Sequence, residues 1–172
     1  MLRGRAWDGI LWPVGHPSLG QPPRNLSVHP EAAALLRAQR STLAARALEI
    51  AVDADPTIRT RYDEAGLRNL LRDAEVLTDR LALCVAGDDP FWLREFADQT
   101  ATVFRRRKVP VDDVVQLCEG LRSSARGVVD EREMASVDAA VDAAVEIYRW
   151  YRRLAGDARQ RNPIAAALYK GI

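Results

Sequence analysis

The sequence predicts an all-α domain (residues 30–161) of about five helices, set between a Pro-rich N-terminal arm (1–29) and a short C-terminal tail (162–172). Apolar residues recur at three- and four-residue spacing from Leu36 to Leu154. Helix stops fall between and after these runs, at Asp55-Pro56, Gly87 and Asn162-Pro163, and no alternating stretch is long enough for a sheet. At 172 residues, one helical domain buries enough apolar surface to stand without disulfides or metals.

The arm holds Pro13, Pro17, Pro22, Pro23 and Pro30 with Gly9, Gly15 and Gly20, a density that excludes regular helix or strand. The first helix follows Pro30, with Leu36, Leu43, Ala47 and Ile50 as its stripe and Asp55-Pro56 as its end. Leu67, Leu70, Leu71, Ala74, Leu77, Leu81 and Val85 carry the second, which Gly87 closes. Asp89-Pro90 starts the third as N-cap and first helical residue, and Leu93, Phe96, Thr100, Val103 and Phe104 line it. Pro110, Asp112 and Asp113 open the fourth, where the carboxylates suit the positive end of the helix dipole, and its stripe runs from Val111 to Val128. The last helix follows Asp130, carries Val137, Ala140, Val141, Ala144, Ile147, Tyr151 and Leu154, and places Arg149, Arg152 and Arg153 in its C-terminal half.

Charge and residue inventory exclude several classes of function. Lys and Arg number 25 against 24 Asp and Glu, so a net charge of +1 supplies no global field for nucleic acid or an anionic membrane. The one basic run, Arg105-Arg106-Arg107-Lys108, sits at a helix C-terminus, where cations are favoured, and reads as a solvated helix end. His16 and His29 both lie in the arm, so no helix offers a proximal haem ligand or a Glu-x-x-His di-iron pair. Ser41, Ser123 and Ser124 lack a neighbouring histidine to activate them, and Gly120 and Gly127 are isolated in a helix with no phosphate loop. Cys84 and Cys118 belong to apolar stripes and read as reduced, packed thiols of a cytoplasmic protein. No catalytic residue, metal site or cofactor is expected, and Ile10-Leu11-Trp12 is too short for a signal peptide or a membrane span.

Residues 105–126, RRRKVPVDDVVQLCEGLRSSAR, resemble the N-terminal domain of the RsbR family of bacterial stress-response co-antagonists. The likeness rests on the basic run, a small apolar residue before Pro110, the acidic residues that open a helix, and the stripe through Leu121 and Arg122. It extends more loosely over Leu36 to Ile50 and Leu67 to Val85, or about residues 31–160. The resemblance implies a globin-like, non-haem, dimeric module that senses a signal and passes it to an effector. The sequence ends at Ile172 without an effector domain, so output is expected to reach a separate signalling or assembly protein. Alternatives are a structural adaptor or cargo protein that docks through its terminal arms, and a bilin or other cofactor carrier. The bilin reading is weakened because Cys84 is followed by Val85-Ala86-Gly87 and not by the Arg-Asp pair of phycobiliproteins.

Two interaction surfaces follow as expectations. Trp7 and Trp12 in the arm, with Ile164, Leu168 and Tyr169 in the tail, pair apolar side chains with helix-breaking prolines and suit docking on a partner. Apolar positions of the last helix spread over roughly 220° of its circumference, more than one face needs, so a homodimer through Val141, Val145, Tyr148 and Trp150 is predicted.

Overall fold

The structure, a computed structural model, describes residues 28–161, with side chains through residue 154. Every regular element among them is a helix: α1 (Pro30–Ala38), α2 (Arg40–Ala54), α3 (Ile58–Arg61), α4 (Glu64–Gly87), α5 (Phe91–Arg106), α6 (Val111–Ala125) and α7 (Glu131–Arg161). The all-α expectation holds, but the predicted first helix is two. Gln39 leaves helical geometry at φ −100° and ψ 14°. Its N–H donates to the Leu35 carbonyl at 3.0 Å and its own carbonyl accepts from Leu43 at 2.9 Å, which carries the hydrogen-bond ladder across the break. Leu36, Leu43 and Ala47 stay in one core, so the apolar spacing survives and hides the interruption.

Local chemistry sets the remaining ends. Asp55 accepts the Thr57 hydroxyl at 2.6 Å and the Thr57 N–H at 3.0 Å, a turn that starts the single coil of α3. These bonds, the hydroxyl's first, hold the Asp55 carboxyl below its ordinary pKa. Asp63 caps α4 by accepting the Gly66 N–H at 2.7 Å. α4 ends in a Schellman turn, with Asp89 N–H on the Cys84 carbonyl at 3.0 Å and Asp88 N–H on Val85 at 3.3 Å. The left-handed position is Asp88, at φ 47°, and not the expected Gly87, which stays helical. Asp tolerates this conformation better than most residues, and here its carboxylate also accepts the Ser136 hydroxyl from α7. Asp89 accepts the Phe91 N–H at 2.9 Å and Pro90 becomes the N-cap of α5, one residue later than predicted. α7 begins with a reciprocal capping box, Glu133 N–H to Asp130 at 2.9 Å and Asp130 N–H to Glu133 at 3.0 Å.

α4 packs against α1, α2, α5 and α7, while α2 crosses α6. The crossing depends on Gly120 of α6, because a Cβ there would lie 2.4 Å from the backbone oxygen of Ala47. α7 lies on α4, α5 and α6 together. Val137, Ala140, Val141, Ala144, Val145 and Tyr148 are consequently no more than 3% exposed. The expectation that Val141, Val145 and Tyr148 form a dimer face is therefore corrected: three helices of the same chain enclose them, and of the four residues only Trp150 is exposed. Among the described residues, no helix is long and apolar enough to cross a membrane.

Candidate functional site

The turn between α5 and α6 shapes a cleft against α7. α5 ends in a second Schellman turn, with Val109 N–H on the Phe104 carbonyl at 2.9 Å and Lys108 N–H on Arg105 at 3.0 Å. Its left-handed residue is Lys108, at φ 59°, a conformation that usually selects glycine. Pro110 follows and fixes the start of α6. The resulting cleft holds about 440 Å³ and is lined by Ala101, Thr102, Arg105, Lys108, Val109, Pro110, Val111, Asp112, Tyr151 and Arg152. Arg152 forms an ion pair with Asp112 across its mouth.

The basic run is dispersed by this turn. Arg107 pairs with Asp73 of α4 at 2.9 Å and lies over the Phe104 ring, 5.6 Å from its centroid. Arg106 points to solvent, and Arg105 and Lys108 line the cleft. The predicted solvated helix end thus holds for only part of the run. Four adjacent cations that diverge in this way do not form the continuous stripe that tracks a nucleic-acid backbone.

A second groove, of about 410 Å³, lies between α5 and α7 and is lined by Arg94, Asp98, Ala143, Glu146, Ile147, Trp150 and Arg153. Trp150, in its lining, is 45% exposed, as is Leu154 one turn further along α7. The Trp150 ring meets Tyr151 edge-on at 4.9 Å, and the Tyr151 hydroxyl donates to Asp98 of α5 at 3.1 Å. A third groove, between α2 and the α3–α4 segment, is largely apolar, with Leu48, Val52, Leu67 and Leu71 between Glu49 and Arg59.

One buried carboxylate joins two distant parts of the chain. Asp113, 3% exposed at its side chain, accepts the Tyr62 hydroxyl at 2.6 Å and is ion-paired with Arg61. Arg61 also reaches Asp55 at 3.3 Å and the Thr57 hydroxyl at 2.7 Å. Burial, followed by the bond to Asp113, raises the Tyr62 pKa. Asp113 was legible as a charge at the start of a helix, but its partners lie 51 and 52 residues earlier and carry no local signal. All its bonds are internal, so the network fastens α3 to α6.

Cys84 and Cys118 are both buried, as their apolar settings predict. Cys84 accepts the Leu93 N–H at 3.2 Å, and burial pushes the Cys118 thiol up to about 12. A thiol held protonated in this way is a packing group. Among the described residues, no three His, Cys, Asp or Glu side chains converge to hold a metal. Trp7, Trp12, His16, Ile164, Leu168 and Tyr169 lie outside the described residues. Compared with known protein families and with curated proteins, the chain matches none.

Proposed function

We propose that this domain is a non-catalytic regulatory module that acts through protein–protein contact, with the α5–α7 groove as its contact face. The observation that carries the reading is Trp150, nearly half exposed beside a formed groove and in edge-on contact with the Tyr151 ring. Large aromatics kept on a surface in this way anchor interfaces, because they bury much area at small entropic cost. The groove carries both signs of charge, Arg94 and Arg153 with Asp98 and Glu146. A two-fold contact needs that balance, since each patch meets its own copy. The reading therefore includes a homodimer, and it agrees with the globin-like sensory module that the resemblance to RsbR-type domains implies, with output to a separate signalling protein.

Sedimentation velocity at tens of micromolar tests it. The unmodified chain is expected to sediment as a dimer, and Trp150→Glu to shift it to monomer with unchanged far-UV circular dichroism, at a cost to association of about 2 kcal/mol or more. A monomeric parent protein would remove the dimer. Cross-linking from Arg153→Cys in the native organism would then decide whether a different protein occupies the face, and recovery of no signalling component would sink the regulatory reading.

A further inference from the structure

We propose that α1 is an exchangeable helix: it leaves its own α4, joins α2 in one continuous helix through Gln39, and docks on the α4 of a second copy of this chain. The inference goes beyond the regulatory reading and uses a different face from the α5–α7 groove.

The break at Gln39 is not written in its own residues. Arg37, Ala38, Gln39 and Arg40 are all strong helix formers and Gln39 is exposed, so the segment taken alone favours a straight helix. The bonds that such a helix would make across the break, from the Arg40 N–H to Leu36, Ser41 to Arg37 and Thr42 to Ala38, do not occur among the described backbone bonds. What bends the chain is the docking of α1, which packs mainly on α4 and is tied there by the Val28 and His29 N–H groups on the Ala86 carbonyl, at 2.8 and 3.3 Å. That docking is slight. Of the nine residues of α1 only Ala32, Ala33 and Leu36 are buried, and Leu36 is the one large side chain among them, which marks α1 as an element that opens before the rest. The far side of the break is held, because Arg40 pairs with Asp79 at 3.3 Å and the Ser41 hydroxyl donates to Glu75 at 2.8 Å, so opening is confined to α1. The α4 surface it uncovers has one occupant of assured fit, another α1, since the contact re-formed between copies is the one already made within the chain. Exchange therefore loses no packing and restores helix bonds in each copy, and the entropy of association is what opposes it.

Cross-linking between two variants of the full chain, Val28→Cys and Gly87→Cys, tests the exchange. Both also carry Trp150→Glu, so that a dimer through the α5–α7 groove adds nothing. They are mixed, held concentrated a little below the unfolding midpoint, and treated with a short bismaleimide. The Val28 N–H sits on the Ala86 carbonyl, so positions 28 and 87 meet wherever α1 is docked, and in this mixture only an α1 from the other copy brings them together. Cys84 and Cys118 are buried and do not compete. A link between positions 28 and 87 of different chains, identified by peptide mapping, is expected. Gln39→Ala in both chains is expected to raise its yield about fivefold or more over Gln39→Gly, because alanine favours the continuous helix and glycine disfavours it. Neither change threatens the fold at this exposed position. Absence of the link between Gln39→Ala chains, while one chain bearing both cysteines links within itself, overturns the proposal. So do equal yields for Gln39→Ala and Gln39→Gly, which would assign the link to random encounter.

Discussion

Lys108 and Asp88 hold the same left-handed position at the ends of successive helices, yet they answer differently to replacement. Among the described residues the Lys108 side chain makes no hydrogen bond or ion pair that would offset the strain, so Lys108→Gly is expected to stabilise the domain by about 1 kcal/mol in denaturant titration. At Asp88 the same change relieves the backbone but strands the Ser136 hydroxyl, and the two effects roughly cancel. Asp113 is a buried carboxylate with two partners on another element. Asp113→Ala leaves the Tyr62 hydroxyl and the Arg61 guanidinium without their shared acceptor and is expected to lower stability by about 3 kcal/mol. Tyr62→Phe should cost about 1 kcal/mol, and the double variant less than the sum of the two, because both changes disrupt one network. Additive losses would show that the contacts act separately. At this scale the sequence discloses residue types and not partnerships: Asp113 reads as a dipole charge from its neighbours alone, and the chain separation to Arg61 places its actual role beyond any local pattern.

Helices whose ends carry explicit chemistry are the ones that periodicity locates well. Pro110, the Asp55-Pro56 break and the acidic opening of α6 were all legible, and the Asp130-x-x-Glu133 box was available as a signal for α7. The break at Gln39 was not, since Arg37-Ala38-Gln39-Arg40 contains neither glycine nor proline and the core stripe continues through it. Gly120 was visible only as an isolated helix glycine, a mild defect by propensity. Packing gives it a different meaning, for the α2–α6 crossing admits no Cβ. Gly120→Ala gains about 1 kcal/mol of helix propensity, but the clash with the Ala47 backbone cannot be relieved by a rotamer change. A net loss of about 1–3 kcal/mol is expected, read as a lower midpoint in urea. A neutral or stabilised variant would mean that the two helices separate readily at that point.

For the molecule as a whole, the sequence established an all-helical domain and the identity of most of its core, but it misjudged how α7 is enclosed. A broad apolar arc on one helix was read as one face too many, whereas α4, α5 and α6 together cover Val141, Val145 and Tyr148. The number of neighbours a helix has is a tertiary quantity, and composition along the helix does not contain it. The same long helix sets a distance. Val28 is tied through its N–H to the Ala86 carbonyl at 2.8 Å, and Asp88, two residues on, is bonded to Ser136 near the beginning of α7. From Ser136 to Arg161 the helix rises about 37 Å at 1.5 Å per residue. Spin labels at residues 28 and 161 are accordingly expected to report a single separation of about 35–45 Å by pulsed dipolar spectroscopy, and a much shorter or broadly spread distance would show that α7 does not run straight. α7 is thus the measuring stick of the domain: the distance between residues 28 and 161 reads out directly whether that helix stays continuous along its length.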